Sequence, residues 1–174
     1  MISDKISDDP GENDRASGGG SRRRRSAARL AAVQALYQHA MGNVPTPKLL
    51  AEFHAHRLNS GTEPDGYMEG LAEADRLFFD SLVIGVLDRR DELDAAIAER
   101  LARNWTVSRL DRLMLQILRC GAFELLARSD VPAAAVVAEY VDVADAFYPR
   151  AEVGFVNALL DRMAKSVRGS GTRP

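Results

Sequence analysis

The chain has 174 residues, a formal net charge of −2, 46% apolar and 28% charged side chains, which suits one globular domain with a tail and is too short for a two-domain cofactor enzyme. A single cysteine, Cys120, excludes an internal disulfide framework and a cysteine-based zinc cage, so no oxidising compartment is needed and the cytoplasm is expected. The longest uncharged stretch, residues 30–47, holds Gln34, Gln38, His39, Asn43 and Pro45 and is no membrane span, and the polar first residues are no signal peptide.

The small net charge hides a strong asymmetry. Residues 1–14 carry Asp4, Asp8, Asp9, Glu12 and Asp14 against Lys5, an acidic tail. Residues 15–51 then hold Arg15, Arg22, Arg23, Arg24, Arg25, Arg29 and Lys48 and no acid, so the positive field is confined to one short segment.

In chain order, residues 1–20 are rich in Asp, Ser and Gly, end in Gly18-Gly19-Gly20, and are expected to be disordered because they have little apolar surface to bury. The helical domain is expected over 21–168, with 169–174 a second disordered tail. From Arg22 the spacing Leu30, Val33, Tyr37, Met41 predicts a first helix that stops at Gly42-Asn43 and Pro45. Thr46 before Pro47 reads as an N-cap with proline at the first helical position; Leu49, Leu50, Phe53 and Leu58 form the inward stripe, and Asn59-Ser60-Gly61 ends that helix.

Asp75 can cap a third helix carrying Phe78, Phe79, Leu82, Val83, Val86 and Leu87, while Leu93, Ile97 and Leu101 continue the stripe beyond a charged break. Periodicity alone leaves open whether this is one bent helix or two. Ser108 and Asp111 have the spacing of a capping box ahead of Leu110, Leu113, Met114, Ile117, Leu118, Gly121 and Leu125, the most apolar helix and the expected central one. Asp130-Val131-Pro132 opens a helix closed by Pro149, and a last one runs from about 151 to 167 with Val156, Leu159, Leu160 and Met163 inward. No segment alternates as a strand does, so the expected class is all-α, a compact bundle of six to seven helices.

Enzyme chemistry is unsupported. His54 and His56 stand two apart and point to different sides of a helix, so no metal site is expected. Gly18–Ser21 lacks the Gly-Lys-Ser/Thr of a phosphate loop, Cys120 reads as a buried structural thiol, and no cofactor is called for. The arginines differ. At a helix start, Arg22, Arg23, Arg24, Arg25 and Arg29 would oppose the helix macrodipole at about 0.3–1 kcal/mol each, so local stability does not explain them. With free backbone N–H groups beside them they form an anion site suited to nucleic-acid phosphates and unpaired bases. A solvated basic arm is the bland alternative, and a membrane anchor is weaker because Leu30, Val33 and Tyr37 are wanted by the core.

Arg29-Leu-Ala-Ala-Val-Gln-Ala-Leu-Tyr37-Gln38, Leu118-Arg119-Cys-Gly-Ala-Phe-Glu124-Leu-Leu, Asp130-Val-Pro132, Glu139-Tyr-Val and Phe155-Val-Asn157-Ala-Leu-Leu-Asp161 follow in order and spacing the pattern of the bacterial transcription antitermination factor NusB family, which this chain resembles over about residues 22–165. The resemblance implies a two-lobed fold of six or seven helices and a non-catalytic factor. Such a factor binds boxA-type single-stranded RNA with the ribosomal small-subunit protein that acts as NusE, and the complex joins elongating RNA polymerase to promote read-through of ribosomal operons. It implies RNA contacts from Arg22 to Arg25 and Arg29, and places Tyr37 and Phe155 near the RNA surface. From the pattern of apolar residues alone, Tyr37 is equally a core residue, whereas Phe155 lies off the inward stripe as a ring available for stacking. Arg119, Glu124 and Glu139 are as able to form interhelix ion pairs as to touch a partner.

The sequence departs from the family at Ala138 and in the turn Tyr148-Pro149-Arg150-Ala151, which lacks the usual polar and basic residues. The acidic extension has no family counterpart; one expectation is that it competes with RNA for the arginines. The alternatives are a protein-only helical adaptor and the NusB-like accessory domain of an rRNA methyltransferase, against which chain length argues. A monomer and a homodimer are both compatible with the sequence.

Overall fold

The computed structural model describes residues 13–58 and 74–169. The acidic residues 4–12, the helix stop at Asn59-Ser60-Gly61 and the tail at 170–174 lie outside the described residues. Seven α-helices and no strand occur among those described: α1 (Asn13–Gly42), α2 (Thr46–His56), α3 (Arg76–Asp88), α4 (Arg90–Ala98), α5 (Arg112–Ala127), α6 (Ala133–Asp145) and α7 (Arg150–Arg168), with a single 3-10 turn at Val107–Arg109.

The centre is α5, which packs against α1, α3, α4, α6 and α7. Its buried residues run nearly all round the helix from Gln116 to Leu125, the signature of a helix enclosed on every side. One lobe groups α1, α2 and α3; the other groups α6 and α7 on α5, and α1 joins them by touching both α5 and α6. Small side chains set the spacing: Ala28, Ala31, Ala32 and Ala35 of α1 are fully buried, letting its backbone lie close to its neighbours. A Cβ on Gly85 would come within 2.2 Å of the Phe123 ring, so glycine there permits α3 and α5 to meet.

Some local signals are honoured and others are not. Asp75 caps α3, its Oδ1 accepting from the Phe78 N–H at 3.0 Å, and the Asp75 N–H donates to the Arg24 carbonyl at 3.0 Å, pinning α3 to α1. The break between α3 and α4 is real but one residue long, at Arg89. The capping box is not formed: Ser108 sits in the 3-10 turn with its hydroxyl 3.0 Å from that of Thr106, and Asp111 itself caps α5, accepting from Leu113 and Met114 at 3.1 and 3.2 Å. Thr46 already lies inside α2, and Pro45 occupies the cap position. Pro149 does not close α6, which ends at Asp145; it precedes α7 instead, where its fixed φ suits a helix start.

One correction bears on function. The first helix begins at Asn13, not at Arg22, so residues 13–20 are helical rather than a disordered tail. Arg22 to Arg25 therefore lie several turns inside α1, where backbone N–H groups are already bonded within the helix. The expected cost against the macrodipole, and the contribution of free N–H groups to an anion site, both fall away, since these effects are confined to the first turn.

Candidate nucleic-acid interface

Helical spacing lays Arg22, Arg25 and Arg29 along one side of α1, and the three meet different surroundings as the stripe runs into the molecule. Arg29 is buried, 3% exposed. Its Nε and Nη2 donate to the two carboxylate oxygens of Glu124 on α5, at 2.8 and 2.9 Å, and its Nη1 lies 3.4 Å from Glu139 on α6. The Tyr140 hydroxyl donates to the same Glu124 carboxylate at 2.6 Å, and Ser26 donates to Glu139 at 2.6 Å.

Burial lowers the Arg29 pKa, but the bonds and charges of Glu124, Tyr140 and Glu139 outweigh it and raise the value above the ordinary range. For Tyr140, burial first and the Glu124 charge second push the phenol up, so it stays a donor. Arg29 is thus a structural cation tying three helices together, and the expectation that it contacts RNA is corrected. A guanidinium enclosed with two carboxylates has no face left for a phosphate.

The outer arginines are different. Arg22, Arg23 and Arg24 are exposed and Arg25 is half-buried. The Arg22 side chain is 79% exposed and only loosely held, 3.5 Å from Glu139. Arg25 lays its guanidinium over the Phe78 ring, 5.2 Å from the centroid, and its Nε is buried without an acceptor. The same ring is approached by Arg29 at 5.0 Å and by Arg128, just past the end of α5, at 5.2 Å. Arg128 was missed by sequence reasoning, although an arginine two residues ahead of Asp130 in a helix-ending turn was a usable signal.

Tyr37 and Phe155 are not part of that patch. Tyr37 lies twelve residues beyond Arg25, about 18 Å along the helix axis, and is partly exposed. It is close enough to raise the Tyr148 pKa, after burial and the hydrogen bond to Asp111 have done most of the work. Tyr148 donates to the Asp111 carboxylate, a contact that holds Asp111 below the usual carboxylate range with help from the backbone N–H groups of the α5 start. Asp111 and the half-buried Phe155 line one cavity of about 610 Å³ with Leu101, Trp105, Arg109 and Met114. Trp105 is exposed and carries the Arg109 guanidinium 5.5 Å from its ring centroid. This lone tryptophan was also missed; its place between Arg103 and Arg109 in a polar connection was the available clue.

The structure therefore groups Arg22 to Arg25 several turns inside α1, leaves Tyr37 farther along that helix, sets Phe155 and Trp105 on one cavity, and removes Arg29 to the interior. Arg119, another charge on the central helix, is paired with Asp94 of α4 at 2.7 and 2.8 Å. Among the described residues no cluster of His, Cys, Asp or Glu could hold a metal ion, and no helix is long and apolar enough to cross a membrane. The Cys120 thiol is buried and its pKa is pushed up by that burial, which leaves it unreactive.

Residues 26–165 match the model of the NusB family. Over 143 residues the chain is 58% identical to the transcription antitermination protein NusB of Sphingopyxis alaskensis, covering 82% of this chain and 93% of the relative, and 56% identical to that of Novosphingobium aromaticivorans, covering 82% and 94%. Among solved structures, NusB of T. maritima superposes with a TM-score of 0.65 at 26% identity, covering 83% of this chain and 90% of that one. A complex of the antitermination factors NusB and NusE with dsRNA gives 0.66 at 21% identity, covering 83% and 98%, a likeness of fold.

Proposed function

The chain belongs to the NusB family, and on that premise we propose that it is an RNA-binding transcription antitermination factor that holds boxA-type single-stranded RNA together with NusE. The family's curated members are antitermination proteins rather than enzymes. The observation that carries the RNA reading is the arginine patch: Arg22, Arg23, Arg24 and Arg25 stand together on one helix, and Arg23, Arg24 and Arg25 form no ion pair among the described residues.

Guanidinium forks suit phosphate oxygens, and unneutralised exposed cations draw a polyanion to the surface. Tyr37, Phe155 and Trp105 would supply stacking surfaces for bases farther along the strand, each stack worth about 1–3 kcal/mol. That a NusB and a NusE have been solved with dsRNA supports both partners. The complex would act in the cytoplasm on elongating RNA polymerase.

The test is a titration of labelled boxA RNA, its scrambled counterpart and a boxA duplex, with and without NusE. Tightest binding to the single-stranded boxA sequence in the presence of NusE is expected. Equal affinity for the scrambled strand, or no gain from NusE, would overturn the reading, and duplex preference would replace the single-stranded ligand. Sedimentation with and without RNA decides whether a homodimer competes for the same face.

A further inference from the structure

Three guanidinium groups converge on the Phe78 ring, and their neutralisation is unequal. Arg29 is bound by Glu124 at 2.8 Å. The carboxylate that holds Arg128 is Asp130, at 3.0 and 3.1 Å, in a pair that faces solvent, with the Arg128 side chain 26% and the Asp130 side chain 54% exposed, while its Nη1 donates to the Ser81 hydroxyl at 3.5 Å. Arg25 has no carboxylate partner among the described residues, and its buried Nε has no acceptor.

Like charges gathered at one ring repel unless an anion lies among them. Lying 5.2 Å from the Phe78 centroid, the Arg25 and Arg128 guanidinium groups are each held by a cation–π contact, which lowers the side-chain entropy left to lose on binding. The Asp130 pKa is lowered by the Arg128 hydrogen bond and, further down, by the charge of Arg25, which places all three groups in one electrostatic neighbourhood.

We infer that Arg128, from the end of α5, joins Arg25 of α1 in a clamp for one backbone phosphate of the bound strand, with Asp130 occupying the Arg128 fork when no strand is present. The inference rests on the RNA-binding reading and adds to it a second chain segment, one that sequence analysis did not single out, and a built-in competitor. Phosphate contacts carry no sequence information, so the clamp grips any single strand.

The experiment measures the salt dependence of binding for boxA RNA and for oligouridine of equal length, using the full chain and three variants. Arg128→Gln should lower the slope of log K against log salt by about 0.7 for both strands, the loss of one phosphate contact. Arg128→Lys, which keeps the charge, should restore most of the slope. Asp130→Asn should tighten both strands by about two- to fivefold, the worth of freeing a guanidinium from an exposed ion pair. That gain is opposite in sign to what a merely structural pair would give.

Unchanged slopes in Arg128→Gln, or weaker binding by Asp130→Asn, overturn the clamp while leaving a boxA preference intact. Equal binding of boxA and oligouridine, with the slope change present, overturns the boxA reading and keeps the clamp.

Discussion

The two ends of the stretch of α1 over residues 22–42 carry opposite kinds of surface. Towards its start, Arg22 to Arg25 present charge with little neutralisation, and the contacts that position them are rings and backbone: Phe78 under Arg25, and Asp75 bonded to the Arg24 carbonyl. Towards its end, Tyr37 and Met41 face the start of α5, where the Arg112 guanidinium lies 3.2 Å from the Met41 sulfur and Tyr148 holds Asp111. A strand spanning both would meet a charged grip first and a set of rings second. On the proposed reading the charged end would give affinity without discrimination and the aromatic end contacts to bases, so the two should respond differently to salt and to sequence.

The sharpest contrast lies within the charged end. Arg29→Ala should destabilise the fold by about 3–5 kcal/mol, because Glu124 is then left buried and unpaired; urea unfolding measures it, and a loss under about 1 kcal/mol would show that the network is not what ties α1 to α5. Five and six residues back along α1, removing exposed charge should do the reverse. The double variant Arg23→Ala, Arg24→Ala should stay within about 0.5 kcal/mol of the parent in stability yet lower the salt slope of RNA binding by about 0.7 for each phosphate released.

At the other end, Phe155→Ala should cost about 1–3 kcal/mol in RNA binding with the slope unchanged, as expected of a lost stack rather than a lost charge. A slope that moved would mean the two ends do not divide the labour.

A smaller effect tests how the aromatic end is held. Asp111→Ala removes the α5 cap and the acceptor of Tyr148 together and should cost about 1 kcal/mol at neutral pH. Because the folded carboxyl titrates below its ordinary value, this contribution is present above the ordinary carboxylate range and is lost as pH falls through the depressed pKa. The difference between parent and variant should therefore shrink in acid; a gap that held constant down to pH 2 would contradict the assignment.

Most of the helices were legible because each carries its own local evidence. Asp75 ahead of Phe78 is a cap wherever the chain places it, and the 117/118/121/125 spacing forces one face inward in any helical packing. The start of α1 was not legible, since Gly18-Gly19-Gly20 argues against a helix by propensity and little in the composition of residues 13–20 argues for one. The capping box failed for a related reason: Ser108 and Asp111 have the right spacing, but a 3-10 turn takes up the first of them.

What the sequence determined by itself is the helical periodicity, the identity of the central helix and the confinement of positive charge to one segment, all properties of near neighbours along the chain. Which arginine is structural and which is free was settled only by the tertiary structure. Five near-identical side chains within eight residues are indistinguishable until Glu124, about a hundred positions away, is brought to 2.8 Å from one of them. Partner selection among like charges depends on where other helices put their carboxylates, and that is a property of packing alone.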